Sequence, residues 1–419
     1  MKIPIKTEGN TAATVVFRKS FEKELAVLRL IHRHQDLSRV ELARLTGFSA
    51  GSITGIVQTL LSRQLAAEFH GRPTSAGRRP VALRVRNDAA YVVGVDLGSF
   101  YLRVVVTDML GNVLQKLQTE TNLSEGREAV LKRTFNAIHK VINTSGIPNR
   151  RISGIGMGHS GIIDTQTGTV LSFPRPGQMS EWKNVPLSKM VQGEFSVPCV
   201  LEDSVRATAL AEKCIGAGAN LEDFIYIDVG MGIGAGIILN GNLYRGSGGG
   251  AGEFGHMTVE ENGPLCCCGN NGCLEMMASC AAIIRATRRA IEQGVDSSIR
   301  DLVSGDLERI SIEAIAVAAQ QNDSLAFRVL DDAVSHIGVA LADVVNLLNP
   351  GVVIFGGPLF RAAPHLVEPL KRVIKQRAIE RSANQIRLCV SSLGSEACAL
   401  GAARVISERV MEDVFKAII

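Results

Sequence analysis

The chain has 419 residues, 46% of them hydrophobic and 21% charged, a globular composition long enough for more than one domain. No apolar run reaches membrane-spanning length without a charge or several glycines, and the first twenty residues lack the apolar centre of a signal peptide. Nine cysteines without an export signal point to a reducing cytoplasm. The net charge of +4 is uneven: residues 1–86 hold 15 Lys and Arg against 6 Asp and Glu, a net +9, which leaves −5 for the remainder. A basic head on a mildly acidic body suggests a nucleic-acid-binding unit joined to a sensor or an enzyme; a solvated basic surface is the plainer alternative.

In chain order, Phe21, Leu25, Leu28 and Ile31 recur at helical spacing. Ser38 with Glu41 forms a capping box for a second helix that stops at Gly47, and Ser49 opens a third running to about Arg63. Ala43, Gly47, Ile53 and Ile56 have helix-turn-helix spacing: a small contact residue, a turn glycine and two core anchors. On the outer face of the third helix, Ser49, Ser52, Thr54 and Gln58 are small and polar enough to enter a DNA major groove. Gly51 and Gly55 weaken this helix, or else permit close approach to DNA. The following EFHGRPTSAGRRPVALRVR reads as a β-hairpin wing whose Arg72, Arg78 and Arg79 suit phosphates or a minor groove; a basic interdomain linker is the alternative.

From Tyr91 to Thr107 two apolar strands are joined by a glycine-containing turn, and Phe224 to Leu239 repeats the pattern. Such turns are weak evidence singly, because glycine serves any sharp strand reversal. The stretch GHMTVEENGPLCCCGNNGCLE is far more specific. His256, Cys266, Cys268 and Cys273 supply the three thiols and one imidazole of a closed tetrahedral Zn2+ site. Gly269–Gly272 turns Cys273 back toward the other two cysteines, and Cys267 reads as a bystander. Buried, reduced, metal-free cysteines are the competing reading. Glu253 and Glu275 flank the cluster, so a metal there would pin two carboxylates and an imidazole edge in one place, as gripping a polyhydroxylated ligand requires.

The run Gly-His, nine residues, Cys-x-Cys-Gly-x-x-Gly-Cys-x-Glu resembles the signature of the ROK family of repressors, open reading frames and sugar kinases. The two glycine loops resemble the phosphate loops of the actin and sugar-kinase superfold, and the segment from Asn349 to Gly357 resembles the stretch beside the adenosine. The likeness covers residues 90 to 405. It implies an α/β, two-lobed, actin-like and sugar-kinase-like (ribonuclease-H-like) body over 87–419. A winged helix-turn-helix over 21–86 and an N-terminal arm over 1–20 precede it, and that head marks the regulator branch.

The departures from the kinases are informative. The first loop reads Asp96-Leu97-Gly98-Ser99-Phe100, with a ring where the kinases place a phosphate-contacting threonine, and Met231 replaces a second threonine. Asp96 is left either to hold magnesium or to cap its turn. In LEDSVRATALAE, the helix that follows aligns Glu202 with the family glutamate, Asp203 with an asparagine and Ser204 with the catalytic aspartate; a one-residue shift would make Asp203 the base. A serine hydroxyl is a poor general base at neutral pH. The resemblance assigns sugar contacts to Asp203, Glu253, His256 and Glu275, although Glu253 also reads as a residue orienting the histidine. Trp182, the single tryptophan, reads as a sugar-stacking ring or as an apolar anchor. The expectation is a carbohydrate-responsive regulator, a repressor that binds operator DNA and senses a sugar without phosphorylating it, as a homodimer or homotetramer. An ATP-dependent sugar kinase and a regulator controlled by a partner protein are the competitors.

Overall fold

Capping residues set the first helices. The computed structural model describes residues 22–32, 36–70, 81–173 and 181–417, and residues 22–32 form helix α1. Ser38 and Glu41 close a reciprocal capping box at the start of α2 (Arg39–Thr46), which Gly47 ends at a left-handed φ of 70°. The Ser49 hydroxyl accepts from the Ser52 N–H and opens α3 (Ala50–Ser62). Strands β1 (Leu37–Ser38), β2 (Ala66–His70) and β3 (Val81–Val85) form an antiparallel sheet in the order β1-β3-β2 beside these helices. The arm 1–20 and the hairpin tip with Arg72, Arg78 and Arg79 lie outside the described residues.

The body repeats one connectivity twice. In the first lobe β4 (Tyr91–Leu97), β5 (Tyr101–Asp108) and β6 (Val113–Glu120) meander antiparallel. Strands β7 (Ile152–His159) and β10 (Cys199–Asp203) then add in parallel on the other side of β4; a short hairpin, β8 (Ile162–Asp164) with β9 (Thr169–Ser172), lies between them in sequence. The second lobe does the same with β11 (Phe224–Val229), β12 (Ile233–Leu239) and β13 (Asn242–Tyr244), followed by β14 (Val352–Gly356) and β15 (Arg387–Val390). The resulting orders, β10-β7-β4-β5-β6 and β13-β12-β11-β14-β15, are equivalent. Each glycine loop is the hairpin turn between the first two strands of its lobe.

Two helices fill the space between the sheets, α6 (Ser204–Ile215) against the second sheet and the C-terminal helix Ala397–Ala417 against the first. They meet at backbone distance. A Cβ added to Gly401 would lie 1.7 Å from the Ala207 carbonyl oxygen, and one added to Gly156 of β7 would lie 1.9 Å from that of Ala402. Only glycine permits such approach. Helices α4 (Arg127–Thr144) and α5 (Leu187–Phe195) cover the far face of the first sheet, where Trp182 is fully buried beside Phe173. Trp182 is thus the apolar anchor of its loop.

The core of the head does not close on itself. Leu25, Leu28 and Ile31 of α1 share one apolar cluster with Val92 and Met109 of the first lobe and with Ile406, Val410 and Met411 of the C-terminal helix. A polar contact accompanies it: His32 Nε2 lies 2.7 Å from the Met109 carbonyl oxygen and 2.9 Å from Arg404 Nη1.

Candidate functional site

The thiol-imidazole cluster is built by turns. After Gly252, whose φ of +99° lets the backbone press onto Ala235, a single helical turn Phe254–His256 presents the imidazole. The chain pairs with itself at Thr258–Cys273 and Leu265–Asn271, and Gly269 N–H donates to the Cys266 carbonyl. One donor atom from each of His256, Cys266, Cys268 and Cys273 falls within 4.8 Å of the others. Cys266 Sγ is 3.6 Å from His256 Nδ1, and Cys268 Sγ is 3.6 Å from Cys273 Sγ. Bonds of about 2.0 Å to nitrogen and 2.3 Å to sulfur give a tetrahedron with edges of roughly 3.5–3.8 Å, so the donor set fits one divalent cation. Cys267 is exposed and outside the set.

The cluster fixes the carboxylates around it. With Nδ1 turned to the thiols, His256 Nε2 faces outward, 3.9 Å from Glu253 Oε2. Cys273 immediately precedes α7 (Leu274–Ala278), which carries Glu275 to the second glycine loop, where its Oε2 accepts from Ile233 N–H at 2.9 Å. Glu275 therefore holds that loop with one oxygen.

Asp203 enters from the other lobe, at the end of β10. It caps α6, its Oδ1 accepting from Val205 N–H and Arg206 N–H at 3.0 Å each. Burial pushes its carboxyl up to about 6; Arg206 and its backbone hydrogen bond pull it down, and Glu202 and Glu253 add to the rise. Ser204 is the first residue of α6.

Sequence reasoning missed the ion pairs that organise the cleft. Glu202 is buried and receives Arg206 Nε at 3.0 Å on one oxygen, and Arg245 Nε and Nη2 at 2.9 and 2.7 Å on the other. Arg206 Nη1 also donates to the Gly249 carbonyl at 2.7 Å, so this network joins β10 to the loop after β13. A lone arginine before the glycine-rich run GSGGGAGE was the available signal. In the first glycine loop, Arg103 Nη1 donates to Asp96 Oδ2 at 2.9 Å. The two residues sit directly opposite in the β4–β5 register, so Asp96 is an arginine's partner. Burial raises the Asp96 and Asp228 carboxyls, opposed by Arg103 at the first and by the Tyr226 hydroxyl at the second. His159, at the end of β7, is buried against Phe173 and Trp182, and burial lowers its imidazole to about 4.

On the head, Ser49, Ser52, Thr54 and Gln58 are exposed, while Ile53, Ile56, Val57 and Leu60 are buried. Gly51 and Gly55 have open space where a Cβ would stand. Ser49 is also the helix cap.

Known proteins share this arrangement. Residues 92–409 match the ROK family. The xylose repressor of Caldicellulosiruptor bescii is 32% identical over 386 residues, covering 92% of this chain and 95% of its own. The crystal structure of a ROK family transcriptional regulator, a homolog of the Escherichia coli MLC protein, superposes with a TM-score of 0.78 at 28% identity, over 95% of this chain and 98% of its own. A ROK family glucokinase from Streptomyces griseus, solved with glucose and AMPPNP, is also 28% identical. Its TM-score is 0.67, over 75% of this chain and 99% of its own. A sugar-kinase-like fold matched along most of its length, with the thiol-imidazole cluster in place, makes this chain a member of the ROK family.

Proposed function

We propose that the protein is a sugar-responsive transcriptional repressor. Residues 21–86 act as a winged helix-turn-helix, with Ser49, Ser52, Thr54 and Gln58 facing base edges and Arg72, Arg78 and Arg79 on the DNA backbone. Residues 87–419 sense a sugar through Asp203, Glu253, His256 and Glu275. Zn2+ held by His256, Cys266, Cys268 and Cys273 orients the imidazole and Glu275. The protein works in the cytoplasm as a homodimer or homotetramer, which matches two recognition helices to two half-sites about one helical turn apart. One observation carries the reading: a named xylose repressor aligns with 92% of the chain, whereas the glucokinase covers only 75%.

Phosphoryl transfer is not part of this function. Ser204 supplies no general base, and Asp203, the other candidate, lies one position before it with one oxygen, Oδ1, committed to capping α6. Arg103 holds the first-loop aspartate that would otherwise be offered to magnesium. A ligand acts by binding one lobe arrangement more tightly than the other.

The test begins with selection of binding sites from a random duplex pool by the zinc-loaded protein, followed by titration of the selected duplex with sugars. The expected result is a palindromic site released by one sugar, with Gln58→Ala weakening site binding by about 1–3 kcal/mol. Absence of sequence preference, or turnover of Mg-ATP with a sugar, would overturn the proposal.

A further inference from the structure

The polar contact between head and body sets one nitrogen between two partners that make opposite demands. His32 Nε2 lies 2.7 Å from the Met109 carbonyl oxygen and 2.9 Å from Arg404 Nη1. A ring nitrogen carries either a hydrogen or a lone pair. With the hydrogen it donates to Met109 and meets the Arg404 N–H groups donor to donor. With the lone pair it accepts from Arg404 and meets the Met109 oxygen lone pair to lone pair. His32 is 2% exposed, so the partner passed over loses this bond mostly away from water, at about 1–3 kcal/mol. The two arrangements therefore have similar costs.

The surroundings equip Arg404 for both. Its Nη2 is 3.3 Å from Glu408 Oε1, one helical turn on, and a half-open cavity lined by Met109, Arg404 and Ser407 lies beside it. The guanidinium thus has another partner and a space when His32 releases it. Cys214 and Ile215, at the end of α6, line the same cavity. Helix α6 begins directly after Asp203, and its Ala207 meets the C-terminal helix at backbone distance at Gly401, one turn before Arg404. A shift of α6 at its capped end reaches Arg404 with no flexible side chain between.

We infer that, within the sugar-responsive reading on which this rests, His32 is a two-state latch between head and body. Bonded to Arg404, it ties α1 to the C-terminal helix; bonded to Met109, it ties α1 to the first lobe. A ligand gripped at Asp203 selects between these seatings by favouring one position of α6.

The first test reads the ring in the full chain without any sugar. Magnetic resonance of isotope-labelled histidine nitrogens separates a nitrogen that carries hydrogen from one that does not. The expected result is a His32 Nε2 signal between the two limits, which Arg404→Leu moves to the hydrogen-bearing limit. A wild-type signal already at either limit means a single partner and overturns the latch. The second test titrates the duplex selected from the random pool with D-xylose, D-glucose and N-acetyl-D-glucosamine. In His32→Gln the amide nitrogen donates to Met109 while the amide oxygen accepts from Arg404, so both partners are served and the choice is gone. The sugar that weakens wild-type operator binding should still bind this variant by calorimetry, yet lose about tenfold of its effect on operator affinity. An undiminished effect overturns the latch. If no sugar alters wild-type operator binding, the sugar-responsive reading fails, and the ring signal by itself decides the latch.

Discussion

Ile406 of the C-terminal helix offers a test of how that helix seats on the first sheet. Its side chain is fully buried, and β7 faces it with glycines: a Cβ on Gly154 would lie 2.6 Å from Ile406 Cγ1, 2.8 Å from Val410 Cγ2 and 3.0 Å from Ile406 Cδ1. Ile406→Ala removes three carbons, worth about 2.4 kcal/mol at ~0.8 kcal/mol each before any cavity term. Glycines have no side chains to collapse inward, so the cost belongs in the upper part of the ~2–5 kcal/mol range. Gly154→Ala alone should cost ~1–3 kcal/mol by overpacking. In combination, two of the three close contacts vanish and the new methyl fills part of the void, leaving only the stiff Val410. The double variant should therefore be more stable than the sum of the singles predicts by ~1–2 kcal/mol. Urea unfolding followed by Trp182 fluorescence reads this directly, because Trp182 lies in the core of the same lobe. Additivity within about 0.5 kcal/mol would refute the contact, and with it the seating of the helix on β7.

Other perturbations report on the site. Cys268→Ser should release the metal, measurable by elemental analysis, and lower the melting temperature of the body; a metal-free wild type would contradict the cluster's role. Because burial raises the Asp203 carboxyl from 3.8 to about 6, the fold favours its protonated form, so its cost is absent below about pH 3.8 and complete above about pH 6. Asp203→Asn, which can still cap α6, should stabilise the protein above pH 6 and flatten the fall in stability between those limits. His159 has the opposite sign of slope: its imidazole is lowered from 6.5 to about 4, so its effect on stability is neutral above pH 6.5 and increasingly unfavourable down to pH 4. Its ring resonances should stay those of neutral imidazole at pH 5, and a fully protonated ring there would refute its burial.

Legibility followed locality. Ser38, Glu41, Gly47 and Ser49 set α2 and α3 through contacts a few residues apart, so the helices of the head could be read in sequence. The thiol-imidazole cluster was legible for the same reason, since its donors all fall between His256 and Cys273. Asp96 and Arg103 form their pair only once the hairpin register is known, and the charge on Asp96 alone suggested magnesium equally well. Arg245 meets Glu202 through a loop from the opposite lobe, which no local periodicity encodes. Trp182 was ambiguous because a large ring suits both a sugar face and a core, and only the packing of Phe173 and His159 around it decides.

The cluster shared by α1 and the C-terminal helix also sets an order of events during synthesis. Leu25, Leu28 and Ile31 emerge from the ribosome early, whereas Ile406, Val410 and Met411, which complete their surroundings, follow hundreds of positions later. At ~5–20 residues per second that interval is tens of seconds. Throughout it the first helix of the head has one flank without its apolar neighbours, and a nascent chain lacks the surface that completes the core shared by α1 and α3. Completion of the head's core is thereby tied to translation of the whole body, so a message broken before residue 403 yields a head without its footing.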